Sequence, residues 1–143
     1  MNAVEFEAYN LEQAVDTNTN YIGQSVSAIE TYYNRIIGEE TIINQVNTDI
    51  GRLSTLVDDA YNGVMDQNTS VSDSEYFVQA ISEAIDKAKG YHDVGTQSQT
   101  NIRKYESWIL EEYDLIETYA VIIDQKKGEM DELYNRYIIA TQM

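Results

Sequence analysis

Every seventh residue from Val15 is β-branched: Val15, Ile22, Ile29, Ile36, Ile43, Ile50, Val57 and Val64. Ile and Val together supply 26 of the 143 residues, so composition alone yields such a run on the order of once in ten thousand sequences. Seven residues are two turns of a slightly underwound helix, and a ladder of this length keeps one stripe turned toward a partner throughout. Ala8 extends it backwards by one step. Three residues further on in each repeat come Ser25, Tyr32, Glu39, Val46, Leu53 and Ala60, so the seam is drier toward its C-terminal end.

A second ladder runs Ile102, Ile109, Ile116, Ile123, Met130 and Tyr137, and counted backwards it meets Gly95, Ala88 and Ile81. Two more heptad columns are apolar here. One holds Tyr105, Tyr119, Leu133 and Ala140, the other Trp108, Leu115 and Ile122. Three apolar positions in seven make a stripe wider than a two-stranded seam needs, so this helix is expected to touch more than one neighbour. The chain contains no proline, as suits long helices whose interiors proline would break.

Breaks are few. The polar cluster from Asp66 to Ser74 collects turn and cap residues, and the main reversal is expected there. Ser72 and Ser74 are the expected caps, with Glu75 placed three residues after Ser72 as a capping box requires. Residues 16–20 (Asp-Thr-Asn-Thr-Asn) and 90–100, with Gly90 and Gly95, are weaker points crossed without a change of heptad phase. The expected fold is all-α, in one domain over residues 1–143. It is a long antiparallel hairpin with helices at about 3–65 and 74–141, or, if the chain breaks near 16–20 or 90–100, a three- or four-helix bundle with coiled-coil-like heptad packing.

Residue chemistry excludes much. With no cysteine there are no disulfides, thiolate metal sites or cysteine nucleophiles. His92 is the only histidine, too few for a histidine metal cluster or a paired di-iron motif within one chain, and it is expected to face solvent. Asp58-Asp59-Ala60-Tyr61-Asn62-Gly63 starts like a calcium loop. Ala60 and Thr69 nevertheless occupy two ligand positions. No phosphate-binding or nucleophile-elbow motif occurs. The expectation is therefore no enzyme, no cofactor and no metal.

Net charge is −16, from 25 acids against nine bases. Charge of this sign opposes direct binding to nucleic acid or to an anionic membrane. No apolar run approaches a membrane span, and the acidic start of the chain is unlike a secretory signal. A location in the cytoplasm of a (host) cell, in a virion, or outside by non-classical export is expected. Glu40 and Glu112 fall at seam-adjacent positions, with Arg35, Lys104 and Lys126 as candidate partners. The densest surface feature runs from Glu106 to Glu117, and Trp108, Glu111, Glu112, Tyr113, Asp114 and Glu117 are its candidate partner-binding residues. Twelve tyrosines against two phenylalanines suit a thin bundle and contact surfaces.

Two functions compete on these grounds. One is a non-catalytic assembly protein acting through protein–protein contacts, including contacts with its own copies, as a component of a virion, a secretion apparatus or another oligomer. The alternative is an acidic phage-type inhibitor that covers the nucleic-acid-binding surface of a basic defence protein, in the manner of anti-CRISPR or anti-restriction DNA mimics.

Overall fold

The computed structural model describes residues 2–142. Two α-helices, α1 (Ala3–Met65) and α2 (Val71–Gln142), pack as an antiparallel hairpin, with no strand among the described residues. The three- and four-helix alternatives do not form, because both weak points are helical. At the first, the polar side chains return to their own helix. The Asn18 Nδ2–H donates to the Ala14 carbonyl at 2.7 Å and the Thr19 hydroxyl to the Val15 carbonyl at 2.8 Å. At the second, Gly90 and Gly95 keep negative φ, and the Thr100 hydroxyl donates to the Thr96 carbonyl at 3.1 Å.

The reversal lies where expected, but its cap does not. α2 begins at Val71, three residues earlier than the sequence pattern predicts. Its cap is Ser70, whose Oγ accepts from the Asp73 N–H at 3.1 Å, rather than Ser72 or Ser74, which lie inside the helix. Ser70 wins because Thr69 has already anchored the turn: its hydroxyl donates to the Gly63 carbonyl at 2.7 Å, satisfying an end-of-helix acceptor of α1. At the start of α1, Asn2 and Glu5 form a reciprocal capping box. The Glu5 N–H donates to Asn2 Oδ1 at 2.8 Å and the Asn2 N–H to Glu5 Oε2 at 3.2 Å.

By packing, the hairpin divides into two units: the chain up to Tyr33 with the chain from Glu106 onward, and Asn34–Tyr105. In the first unit Tyr21 meets Tyr119 with ring centroids 5.3 Å apart, and Tyr32 meets Trp108 at 5.4 Å. The contacts advance eleven residues along α1 and retreat eleven along α2, which sets the antiparallel register. In the second unit Arg35 lies 5.8 Å above the Tyr105 ring, the Asn101 amide donates to Glu39 Oε1 at 3.2 Å, and Phe77 packs on Gly63.

The deepest positions are not those of the isoleucine ladders. On α1 they come mainly from the mixed column three residues on, at Leu11, Asn18, Ser25, Val46 and Ala60, with Ile36 from the ladder itself. On α2 they are Ala84, Ser98 and Leu133, while Ile102, Ile109, Ile116 and Ile123 are half-buried. Small side chains can lie beneath the neighbouring helix, whereas an isoleucine in a two-helix layer reaches past its single partner and keeps one side exposed.

Candidate interaction surface

In a heptad helix the residue preceding each ladder position lies on one flank of the seam, and the residue four beyond it lies on the other. Antiparallel packing brings like flanks of the two helices together. In the first unit one flank is formed by Ala14, Tyr21 and Ala28 of α1 with Trp108, Leu115 and Ile122 of α2. The ring contacts of Tyr21 with Tyr119 and of Trp108 with Tyr32 fix these columns beside the seam on the same side. Leu115 is 40% exposed and Tyr21 42%, while Trp108 and Ile122 are half-buried. The column outside them carries Thr17, Gln24 and Thr31 on α1 and Glu111, Thr118 and Gln125 on α2.

From Asn10 to Thr31 and from Glu106 to Lys127, Glu111 is the single charged side chain on this flank among the described residues; outside that stretch the same columns of the first unit carry Glu7, Glu129, Glu132 and Arg136. The Thr31 hydroxyl donates to the Ser27 carbonyl and that of Thr118 to the Asp114 carbonyl, each at 3.1 Å. Their hydroxyls are thus already satisfied within their own helices.

The other flank has the opposite character. Over the same stretch it carries Glu12, Asp16, Glu30, Glu106, Glu117 and Asp124 against one cation, Lys127. Val26 and Tyr113 lie among these acids, 43% and 53% exposed. Over this stretch of the first unit, a charge spread evenly along the sequence becomes one acidic flank and one nearly neutral flank.

The six candidate partner-binding residues consequently do not share a face. Trp108 and Glu111 belong to the neutral flank, Tyr113 and Glu117 to the acidic flank, and Asp114 to the back of α2, while Glu112 is half-buried in the inner column that also contains Tyr119. Four of them, Glu111 to Asp114, are consecutive, and at about 100° per residue such a run spans about 300° of the helix. Glu40 is exposed; the acid at the seam is its neighbour Glu39, which holds Asn101. Its place in the column of Ser25, Tyr32 and Val46 is the signal that could have marked it. Lys126 pairs with Glu129 of its own helix at 3.5 Å. His92 is exposed, and Asp58 to Gly63 are helical rather than arranged as a calcium loop.

Among the described residues no group of three or more His, Cys, Asp or Glu side chains is arranged to hold a metal ion. No described helix is long and apolar enough to cross a membrane. Comparison with protein-family models, curated proteins and solved structures finds no match to this chain.

Proposed function

We propose that this chain is a non-catalytic helical assembly protein that works by protein–protein contact. The observation that carries the reading is the amount of apolar surface the hairpin leaves open. Two helices touch along one line, so a broad stripe on either helix has only one partner within the chain. Tyr21, Val26, Tyr113, Leu115 and Val121 all remain more than a third exposed. The accessible surface is 10310 Å² for 16.4 kDa, against about 7,500 Å² for a typical folded monomer of that mass. Exposed apolar residues rimmed by polar ones mark contact surfaces; Tyr21 and Leu115 form such a group on one flank beside Trp108 and Ile122, while Val26 and Tyr113 lie on the other flank and Val121 on the back of α2. Light scattering on the eluting protein, together with affinity capture, tests the reading. A higher-order assembly or a stoichiometric complex is expected. A monomer that captures no stoichiometric partner overturns it.

A second reading is favoured by the acidic flank: an inhibitor that covers a basic, nucleic-acid-binding surface of a partner protein. Six acids against one lysine, on one flank between Asn10 and Thr31 and between Glu106 and Lys127, supply the charge sign such a partner needs. Binding of this kind weakens steeply as salt is raised, and a salt-insensitive complex would exclude it.

A further inference from the structure

We infer that the neutral flank of the first unit, centred on Tyr21, Trp108, Leu115 and Ile122, is the surface on which a second copy of this chain docks. The inference rests on the assembly reading above and names its occupant. Charge selects that occupant. Two chains of net charge −16 repel wherever their acids meet, and the flank carrying Glu12, Asp16, Glu30, Glu106, Glu117 and Asp124 cannot face its own copy at low cost. The neutral flank presents Glu111 alone over the same stretch.

When two neutral flanks meet, each acidic flank lies behind its own helix layer. The acidic flanks of the two copies are then about 20 Å apart, two helix diameters, and beyond the ~8 Å screening length at physiological salt. A basic partner has no reason to choose this flank, since it offers almost nothing to pair with.

The chemistry of the flank suits burial. Leu115 and Tyr21 are each about two-fifths exposed, so they have area left to bury. Trp108 and Tyr21 are pre-ordered by their rings against Tyr32 and Tyr119, which lowers the entropy lost on docking. The Thr31 and Thr118 hydroxyls already donate to carbonyls of their own helices, so covering them orphans no donor. One patch meeting its own copy gives an isologous contact, which closes as a two-fold dimer of hairpins.

Sedimentation and light scattering of the full chain, in a concentration series up to about 0.1 mM, test this. The wild-type chain is expected at twice its 16.4 kDa mass, retained or tightened as salt is raised. Leu115→Glu with Thr118→Glu, both at exposed positions of the neutral flank, is expected to give the monomer with unchanged helix content. Val26→Glu with Tyr113→Glu, at exposed positions of the acidic flank, is expected to leave the dimer intact. A wild-type monomer throughout the series overturns the inference, and the assembly reading falls with it only if affinity capture also fails. A dimer that survives the neutral-flank pair, or dissociates with the acidic-flank pair, overturns the inference and leaves the assembly reading standing.

Discussion

Gly63 and Gly95 both sit inside helices with ordinary negative φ, yet replacing each by alanine should move stability in opposite directions. A Cβ on Gly95 would meet Val46 Cγ1 at 3.6 Å, an ordinary contact. The substitution there gains the helix-propensity difference, about 1 kcal/mol. A Cβ on Gly63 would lie 2.6, 2.8 and 2.9 Å from Cε2, Cδ2 and Cζ of Phe77. Three atoms of one ring edge block it, so the ring or the helix must shift, at a cost of about 1–3 kcal/mol for overpacking. Against the same gain of ~1 kcal/mol, Gly63→Ala should be destabilising by about 1 kcal/mol. Unfolding entropy for 143 residues converts each kcal/mol into about 3 °C. Thermal melts followed by circular dichroism should therefore place Gly95→Ala about 3 °C above wild type and Gly63→Ala about 3 °C below it. In a Phe77→Leu background the ring edge is gone, and Gly63→Ala should become stabilising. A Gly63→Ala protein that melts above wild type, or a penalty unchanged by Phe77→Leu, would refute the packing of Phe77 on Gly63.

Three further perturbations probe other parts of the hairpin. Ser70→Ala removes the acceptor of the Asp73 N–H and should cost about 1 kcal/mol in a denaturant titration, whereas Ser72→Ala should cost less than half of that. Leu133→Ala, at one of the deepest positions of the first unit, should cost about 2 kcal/mol. That is the low end for leucine, because Leu133 borders an open cleft beside Ala8 and Met130 that can relax; the chemical midpoint reads it. Asn18→Leu replaces a buried amide bonded only to its own helix and should raise the melting temperature by about 3 °C or more. Loss of stability there would show that the amide does more than satisfy Ala14.

The ladders were legible because heptad spacing survives any choice of tertiary partner. Ile22 to Val64 and Ile102 to Tyr137 must lie on single stripes if the chain is helical, and no proline interrupts them. The turn was legible from Asp66 to Ser74 for the same local reason. Its cap was not, since choosing Ser70 over Ser72 depended on the Thr69 hydroxyl reaching back to Gly63, a contact that exists only once α1 has ended. The acid at the seam was misassigned by one residue for a related reason. Glu39 and Glu40 differ by about 100° around the helix, and only the position of α2, with Asn101 on it, decides which of them faces inward.

The residue pattern alone was enough to place the protein in its class: all helical, with its main reversal between Asp66 and Ser74, seamed on heptads and strongly acidic. Those properties follow from local geometry and composition, which need no partner to be defined. That the reversal is single was decided by the packed helices. Tertiary structure decided how the charge is distributed in space. Read along the chain, the acids are spread evenly over both halves. Wrapped at seven residues per two turns and paired antiparallel in the first unit, six of them between Asn10 and Thr31 and between Glu106 and Lys127 fall on one flank, and Glu111 alone joins Tyr21, Trp108, Leu115 and Ile122 on the other. A flank is a property of two helices in register, and so it came into view only when the helices were packed.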